Sequence, residues 1–420
     1  MEFSRLVYYS NIFLSSQYPK YKRGIYNKIN FNEKLIGLRG AKGIGKTTIL
    51  HQYLNSLSYS IKEKLYISVD NPILGDKSIL DIAEMAYKRG IKVLVFDEIH
   101  YQKEFEQQLK TIYDFFDIQV LFSGSSAIAL SNSDLSRRAV IYDIPILSFK
   151  EYLELKLDVS LKSYSFEDII FNHENVSFEI ISKLKPLKYF DEYLDYGSYP
   201  FFKNSNKESY VMKLIEVINK TIESDLLYLF NIDISNIHIL KKLLLTLCEN
   251  PPGSLNLTSL SREIGINVRT LYNYIEALSK GQLIHLLYYN KKGNAIFQKP
   301  DKIVLNNPNL FTILCQNQNI GSKRESFFIS QLYNHDIKYS KQGDYKIDDK
   351  YIFVLTSLRD CHHITSSKLK ILEVMDSDEI GGKNKSKKQI KNLNNSFIVK
   401  DDIEMGFENI IPLWLFGFLY

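Results

Sequence analysis

The fold is decided by residues 35–50, which read LIGLRGAKGIGKTTIL. The apolar run 35–39 predicts a strand, and a helix is predicted to begin near Lys46. Between them the chain matches the phosphate-loop (Walker A) pattern G-x-x-x-x-G-K-[ST], from Gly40 to Thr47. Such a loop surrounds phosphate oxygens with backbone N–H groups, while the lysine contacts the β- and γ-phosphates and the hydroxyl ligates Mg²⁺. The residues predicted to bind a nucleotide are Gly40, Ala41, Lys42, Gly43, Ile44, Gly45, Lys46, Thr47 and Thr48.

Strand and helix patterns alternate on the C-terminal side of this loop. Residues 65–69, 92–96 and 118–122 read as short strands, and residues 78–89 read as a helix. The run 92–96 is apolar without alternation, as expected for a strand that is buried on both faces. Repeated alternation predicts an α/β fold in which a parallel sheet carries helices on both sides.

Two acids, Asp97 and Glu98, directly follow the run 92–96. An acid at a strand tip, as in a Walker B element, can hold a metal ion, and we expect Asp97 to do so together with Thr47. Glu98 is then placed to polarise the attacking water as a general base, which favours hydrolysis over nucleotide binding alone. The alternative is a solvated acidic pair at the end of a strand.

Further polar groups follow or precede the next strands. Ser123 or Ser125 is a candidate sensor that hydrogen-bonds the water or the γ-phosphate, although an ordinary Gly-Ser turn would look the same. Arg137 and Arg138 precede a predicted strand, and an arginine there can stabilise transition-state charge in its own subunit or in a neighbour. A surface basic pair is the alternative.

Length, charge and cysteine content limit the remaining possibilities. A chain of 420 residues exceeds one typical domain, and a formal net charge of +5 permits a nucleic-acid partner without requiring one. Three scattered cysteines exclude a disulfide framework, show no zinc-ligand spacing and favour a reducing compartment.

No secretory leader is visible, and the apolar run 410–420 is shorter than the about 20 residues that span a bilayer. We therefore expect a cytoplasmic protein with no membrane partner, and a final buried strand at 410–420.

Several motifs together resemble the AAA-type P-loop ATPases of bacteria and archaea whose members end in a restriction-endonuclease-like domain. The motifs are residues 38–50, DEIH at 97–100, SGSSA at 123–127, and LSRRA and LSFKEYL within 135–153. The resemblance implies ATP and Mg²⁺ as cofactors and permits a homo-oligomer. It also implies Ser123 or Ser125 as the sensor and Arg137 or Arg138 as the arginine finger.

The same resemblance implies four consecutive parts. They are an ATPase core at 1–147, a helical lid at 148–235, a winged helix-turn-helix at 236–318 and a small restriction-endonuclease-like α/β domain at 319–420. Within the third part, residues 258–280 read as a helix-turn-helix, and a basic hairpin is predicted over 283–297. Its candidate contacts to the phosphates of double-stranded DNA are Arg269, Lys291 and Lys292. The alternative is a winged helix that only packs against the ATPase part or another subunit.

The C-terminal part is predicted to be degenerate, without nuclease activity. Metal-dependent nucleases of the restriction type need an early acid and then Glu-x-Lys on a strand. Glu325, Asp344 and Asp348 are candidates for the early acid, but ILEVM at 371–375 has methionine where lysine is required. A later lysine cluster can contact a phosphate backbone or form a solvated loop. Its candidate contacts are Lys385, Lys387 and Lys388.

Two functions fit these motifs. The first is an ATP-hydrolysing molecular switch whose turnover is coupled to DNA or to a protein partner. The second is a nucleic-acid-binding module whose nucleotide site is regulatory and turns over little. Glu98 favours the first, whereas the winged helix and the lysine cluster permit the second.

Overall fold

The computed structural model describes residues 2–125, 133–249, 256–289, 299–315, 319–357 and 395–420. The helices are α1 (Glu2–Ser15), α2 (Lys46–Ser56), α3 (Ile79–Tyr87), α4 (Phe105–Phe115), α5 (Ser133–Ser136), α6 (Phe149–Leu157), α7 (Phe166–Phe171), α8 (His173–Ile181), α9 (Leu187–Tyr196), α10 (Lys207–Lys220), α11 (Leu227–Phe230), α12 (Ile237–Glu249), α13 (Leu257–Ile264), α14 (Val268–Lys280), α15 (Asn309–Leu314) and α16 (Ile320–Gln331). The strands are β1 (Leu35–Arg39), β2 (Lys64–Ser68), β3 (Val93–Asp97), β4 (Gln119–Gly124), β5 (Val140–Asp143), β6 (Ile284–Leu287), β7 (Lys302–Leu305), β8 (Ile337–Tyr339), β9 (Tyr345–Ile347), β10 (Tyr351–Ser357), β11 (Ser396–Asp401) and β12 (Ile410–Pro412).

The first sheet has the strand order β2-β3-β4-β1-β5, and its neighbouring strands are all parallel. Every residue of β3 is buried, because its side chains alternate between two hydrophobic cores on opposite faces of the sheet. Val93 and Val95 enter one core, and Leu94 and Phe96 enter the other. The predicted α/β fold with a parallel sheet is therefore confirmed. The carboxyl ends of β1, β3 and β4 meet at one edge, where the phosphate loop lies.

Helices α6 to α11 follow the first sheet, as predicted for a mostly helical stretch. Ser148 caps α6 with a capping box, which the sequence places just before the first buried residue of the helix. Helix α10 continues without a break into a π-helical segment, Thr221–Leu226, and then into α11. A single hydrophobic core joins α10 and the π-helical segment to the first sheet and to α12–α15, whereas the buried residues of α6–α9 lie in another core.

Helices α13 and α14 are joined by a turn at Gly265, whose φ of +83° favours glycine. Asn267 caps α14 through its side chain, and the apolar face of that helix is buried as predicted. Strands β6 and β7 pair antiparallel, but β7 lies beyond the predicted hairpin 283–297. The predicted second strand of that hairpin, 295–297, lies outside the described residues. The winged-helix assignment stays a prediction.

The second sheet has the order β12-β11-β10-β9-β8. Strands β10, β11 and β12 are parallel to one another, whereas β8, β9 and β10 pair antiparallel. The predicted final strand over 410–420 is wrong for most of its length, because a buried 3₁₀ helix, Leu413–Phe418, follows β12. Pro412 ends the strand, since proline has no N–H to donate to the ladder.

Two cysteines that the sequence did not pair lie together. The structure joins Cys248, at the end of α12, to Cys315, just after α15, with 5.7 Å between their Cα atoms. Because 67 residues separate the two cysteines, no local sequence pattern indicates that α12 packs on α15. Within the described ranges, no helix is both long enough and apolar enough to cross a membrane.

Candidate active site

The phosphate loop connects β1 to α2. Gly43 and Gly45 have φ angles of +78° and +98°, a region that favours glycine. Gly40 has no room for a side chain, because a Cβ atom there would lie 2.6 Å from the carbonyl oxygen of Ile144. The glycines of the predicted pattern are thus required by the backbone that the loop adopts.

Lys46 begins α2 and folds back over this loop. Its side chain is buried, and Nζ donates hydrogen bonds to the carbonyl oxygens of Gly40 and Ala41, at 2.8 and 2.9 Å. Burial lowers the pKa of Lys46, while the charges of Glu98 and Asp97 oppose that effect. The ammonium group therefore lies inside the loop, next to the acids at the end of β3.

Asp97, the last residue of β3, is surrounded by hydroxyl groups. Its carboxylate accepts hydrogen bonds from Thr47 Oγ1 at 2.6 Å, from the Tyr66 hydroxyl at 2.7 Å and from Ser123 Oγ. The oxygens of Thr47 and Asp97 are those that a hard cation such as Mg²⁺ prefers, and they are already adjacent. The predicted metal ligands thus fit a Mg²⁺ ion.

Glu98 has an uncommon backbone and an unsatisfied carboxylate. Its φ is +54°, a left-handed conformation that is rare for a residue other than glycine. Its Oε2 atom is buried and has no hydrogen-bond partner in the described part of the chain; Nδ1 of His100 lies 3.5 Å away. Burial raises the pKa of Glu98, and the charge of Lys46 opposes the rise. Its N–H donates to Ser123 Oγ at 3.2 Å.

The two sensor candidates have different surroundings. Ser123 places its hydroxyl between the Asp97 carboxylate and the Glu98 N–H. Ser125 donates its backbone N–H to Nδ1 of His100 at 3.4 Å. The structure therefore brings Ser123 into the acidic site itself and Ser125 beside the histidine.

His100 connects this site to the helical region. Its Nε2 lies 3.4 Å from Oδ1 of Asp225, a residue of the π-helical segment. The same Oδ1 lies 2.9 Å from Nζ of Lys42 in the phosphate loop. Burial acts to raise the pKa of Asp225, but His100 and Lys42 outweigh it and hold that pKa below its ordinary value. No local sequence feature marks Asp225, because it lies far along the chain from the loop.

Two other residues that touch the loop also escaped sequence reasoning. The guanidinium of Arg23 is buried and donates to the carbonyl oxygens of Ile44 and Ile146, at 3.0 and 2.7 Å, and to the Glu151 carboxylate. Gln282, which follows α14, accepts the N–H of Ala41 through Oε1 at 3.0 Å. Neither belongs to a recognisable sequence motif, so only the fold reveals their contacts.

The arginine candidates lie elsewhere. Arg137 and Arg138 precede the amino end of β5, whereas the phosphate loop lies at the carboxyl ends of the parallel strands. Arg138 forms an ion pair with Asp114 at 2.8 Å. The structure does not bring either residue to the phosphate loop of its own chain.

The candidate nucleic-acid contacts are mostly outside the described residues. Arg269 is exposed on α14, but Lys291, Lys292, Lys385, Lys387 and Lys388 fall in undescribed ranges, as does 371–375. The early-acid candidates have partners: Glu325 pairs with Lys302, Asp348 with His335, and Asp344 with the Leu355 N–H. In the described portion, no group of three or more His, Cys, Asp or Glu side chains is arranged to hold a metal ion.

Comparison with known families supports the description of the first sheet and its phosphate loop. Residues 32–153 match a family model described as AAA domain, AAA_14. Residues 187–320 match a second model, DUF8612, described as a domain of unknown function. The first match supports an AAA-type P-loop domain with a nucleotide-binding, ATPase-type function. Both matched ranges end before the second sheet begins.

One curated relative and two solved structures are similar to the chain. An uncharacterized protein of Methanocaldococcus jannaschii is 31% identical over 275 residues, which are 62% of this chain and 58% of that protein. The chain thus spans less than two thirds of that relative. AMPPCP-bound DnaA from Aquifex aeolicus is 15% identical, with 61% of this chain and 84% of that chain covered and a TM-score of 0.24. PCH-2 from C. elegans is 14% identical, with 66% of each chain covered and a TM-score of 0.24. Neither structural similarity is close enough to support a statement about function.

Proposed function

We propose that the chain is a Mg²⁺-dependent ATPase of the AAA type that works as a molecular switch. The observation that carries the proposal is the contact between Thr47 and Asp97 at the phosphate loop, beside a glutamate whose buried Oε2 has no hydrogen-bond partner among the described residues. A buried acceptor without a donor is costly, so a water molecule or ligand is its natural partner. Nucleotide binding is assigned to residues 40–48.

Each side chain has a task that its surroundings support. Lys46 would leave the carbonyl oxygens of the loop and contact the β- and γ-phosphates. Thr47 and Asp97 would hold Mg²⁺, which neutralises phosphate charge when bound. Glu98 would accept the proton of the attacking water, and its raised pKa suits a base that works near neutral pH. Ser123 would orient the Asp97 carboxylate and the backbone of Glu98, since its hydroxyl donates to the first and accepts the N–H of the second.

The position of Arg137 and Arg138 supports a role in trans. Both lie at the amino end of β5, away from the phosphate loop of their own chain, so an arginine finger would have to reach the loop of another copy. We therefore assign this chain to a homo-oligomer in its active form. The ion pair between Arg138 and Asp114 would have to open for Arg138 to act, so Arg137 and Arg138 are both tested by substitution.

The proposal also includes coupling between ATP hydrolysis and a partner molecule. Hydrolysis would move the helical region that contacts the loop through Asp225, and with it α14, which carries the exposed Arg269. Double-stranded DNA is the partner to test first, because α14 is the second helix of the predicted helix-turn-helix. A rate that does not respond to DNA would favour a protein partner.

The test is steady-state hydrolysis and equilibrium nucleotide binding, with and without DNA at fixed low salt. Lys46→Ala should abolish both binding and hydrolysis. Glu98→Gln should bind ATP but hydrolyse it about 10²–10⁴-fold more slowly. Glu104→Gln is the matched control, because Glu104 is an exposed glutamate that also has a left-handed φ, of +56°. Hydrolysis that survives Glu98→Gln would overturn the assignment of the base.

A further inference from the structure

The π-helical segment Thr221–Leu226 directs an acid at the phosphate loop. A π turn adds a residue to the helical repeat, so it changes which side chains face a given neighbour; such turns are rare and are frequently found at functional sites. Within this segment, Asp225 is 1% exposed, and Glu223 points to the surface. The buried carboxylate is therefore placed by an unusual backbone.

The partners of Asp225 are cationic or polar groups of the proposed active site. Lys42 lies 2.9 Å away, and His100 lies 3.4 Å away. The neighbouring Ser224 hydroxyl contacts the Tyr101 hydroxyl at 2.7 Å. A buried carboxylate that loses such partners is strongly destabilised. Asp225 thus holds a lysine of the phosphate loop that would otherwise be available to a phosphate.

A second contact joins the same loop to the end of α14. Gln282 accepts the Ala41 N–H at 3.0 Å. The preceding Gly281 packs on the π-helical segment, since a Cβ there would lie 3.1 Å from Leu226 and 3.2 Å from Thr221. The phosphate loop, the π-helical segment and the end of α14 therefore form a closed ring of contacts.

We infer that Asp225 competes with the terminal phosphate of a nucleoside triphosphate for Lys42, and that this exchange releases the π-helical segment and the end of α14. The inference rests on the proposed function, because it needs a nucleotide at the loop. Two negative groups beside one lysine repel each other, so triphosphate binding and the Asp225 contact oppose one another. This coupling is reciprocal. If triphosphate binding weakens the contact between Asp225 and Lys42 by a given factor, the closed contact weakens triphosphate binding by the same factor.

The first experiment measures binding of fluorescent, non-hydrolysable ATP and ADP analogues to the full-length chain. Asp225→Asn should bind the triphosphate about fivefold or more tightly than wild type, with a smaller change for the diphosphate. Glu223→Gln removes one charge from the same segment, where Glu223 pairs with Lys241 at 2.5 Å, and should bind like wild type. Unchanged or weaker triphosphate binding by a folded Asp225→Asn variant would overturn the inference.

A second measurement needs no Asp225 variant. Amide hydrogen exchange of the wild type should rise in residues 221–226 and in the C-terminal half of α14 when the triphosphate analogue is added. The rise in α14 should be smaller in Gln282→Ala, which lacks the side chain that contacts Ala41. Exchange in both segments that does not change at saturating nucleotide would contradict the inference.

The two proposals fail differently. If neither wild type nor Lys46→Ala binds nucleotide, the proposed function is wrong, and the inference falls with it. If wild type binds, Lys46→Ala does not, and neither Asp225→Asn nor hydrogen exchange responds as stated, only the inference is wrong.

Discussion

The two five-stranded sheets each end a central parallel strand with a buried aspartate, but the partners of the two acids differ. Asp97 ends β3 and is 2% exposed, and Asp401 ends β11 and is 3% exposed. Hydroxyl groups surround Asp97, whereas the guanidinium of Arg324 pairs with Asp401. The comparison teaches that position at a strand end does not identify a metal site. A carboxylate whose partners are neutral keeps its charge available for a cation, and one that faces an arginine does not.

A third acid, Asp344, lies in the same predicted nuclease-like part as Asp401. Asp344 lies directly before β9, and its Oδ2 accepts the N–H of Leu355 on the neighbouring strand β10 at 2.8 Å. The next residue on β10 is Thr356, so neither an acid nor a lysine lies at that point of the strand. The carboxylate of Asp344 is thus used within the fold.

The sharpest test of the comparison is Asp97→Asn. The amide keeps the size of the side chain but removes the charge that would hold Mg²⁺, so ATP hydrolysis should fall by about 10³-fold. Asp401→Asn is the matched control and should leave hydrolysis per folded molecule unchanged. Equal losses in the two variants, measured by steady-state hydrolysis, would show that the different side-chain partners of Asp97 and Asp401 do not determine which of them serves hydrolysis.

The next largest effect is expected from Arg324→Ala. Asp401 would be left buried without its counter-charge, so the free energy of unfolding should fall by about 3 kcal/mol in urea titrations. Burial already raises the pKa of Asp401, although Arg324 opposes the rise. A raised pKa means that the folded state binds the proton more tightly, so the loss should be largest near pH 7 and shrink as the pH falls toward about 4.

Arg262→Ala, on the exposed face of α13, is the control for that experiment and should change stability by less than about 0.5 kcal/mol. A loss in Arg324→Ala that stays constant from pH 7 to pH 4 would mean that the Asp401 charge is not its cause.

A smaller effect is expected from Tyr66→Phe. The substitution removes one of the hydroxyl donors to Asp97, at 2.7 Å, and should slow hydrolysis about tenfold, since a hydrogen bond to a charged group contributes about 1.5–3 kcal/mol. Tyr59→Phe is the control, because Tyr59 is 43% exposed. A rate for Tyr66→Phe that equals the wild-type rate would show that the remaining hydroxyl groups suffice to orient Asp97.

The smallest effect is expected from Asp344→Asn. An amide oxygen can still accept the Leu355 N–H, so stability should change by less than about 1 kcal/mol. Neither wild type nor this variant should cut duplex DNA in the presence of Mg²⁺ or Mn²⁺, as followed by gel electrophoresis. Metal-dependent cleavage by wild type that the variant loses would identify a second active site.

Local patterns predicted the first sheet and the centre of the candidate site. The strand 35–39, the glycine loop and the acids at 97 and 98 are contiguous in sequence, so their spacing carries the information. Ser123 was found because it directly follows the predicted strand 118–122. Each of these residues could be predicted from the strand or helix next to it in sequence, and the structure places them together at the carboxyl edge of the first sheet.

The contacts missed by the sequence analysis join distant segments. Tyr66 reaches Asp97 from the edge strand β2, and Asp225 reaches Lys42 from a helix that lies well outside the first sheet. A tyrosine in a strand or an aspartate in a helix has no local feature that marks such a partner. Only the tertiary packing decides whether it lies at a surface or at a phosphate loop.

The buried guanidinium of Arg23 has a consequence for how the molecule unfolds. It holds the carbonyl oxygens of Ile44 and Ile146 together with the carboxylate of Glu151, and so joins the phosphate loop, the segment after β5 and helix α6. Separation of the predicted parts 1–147 and 148–235 would break the hydrogen bonds and the ion pair of this buried guanidinium. We therefore expect the two parts to melt as one cooperative unit, with equal calorimetric and van't Hoff enthalpies for their shared transition.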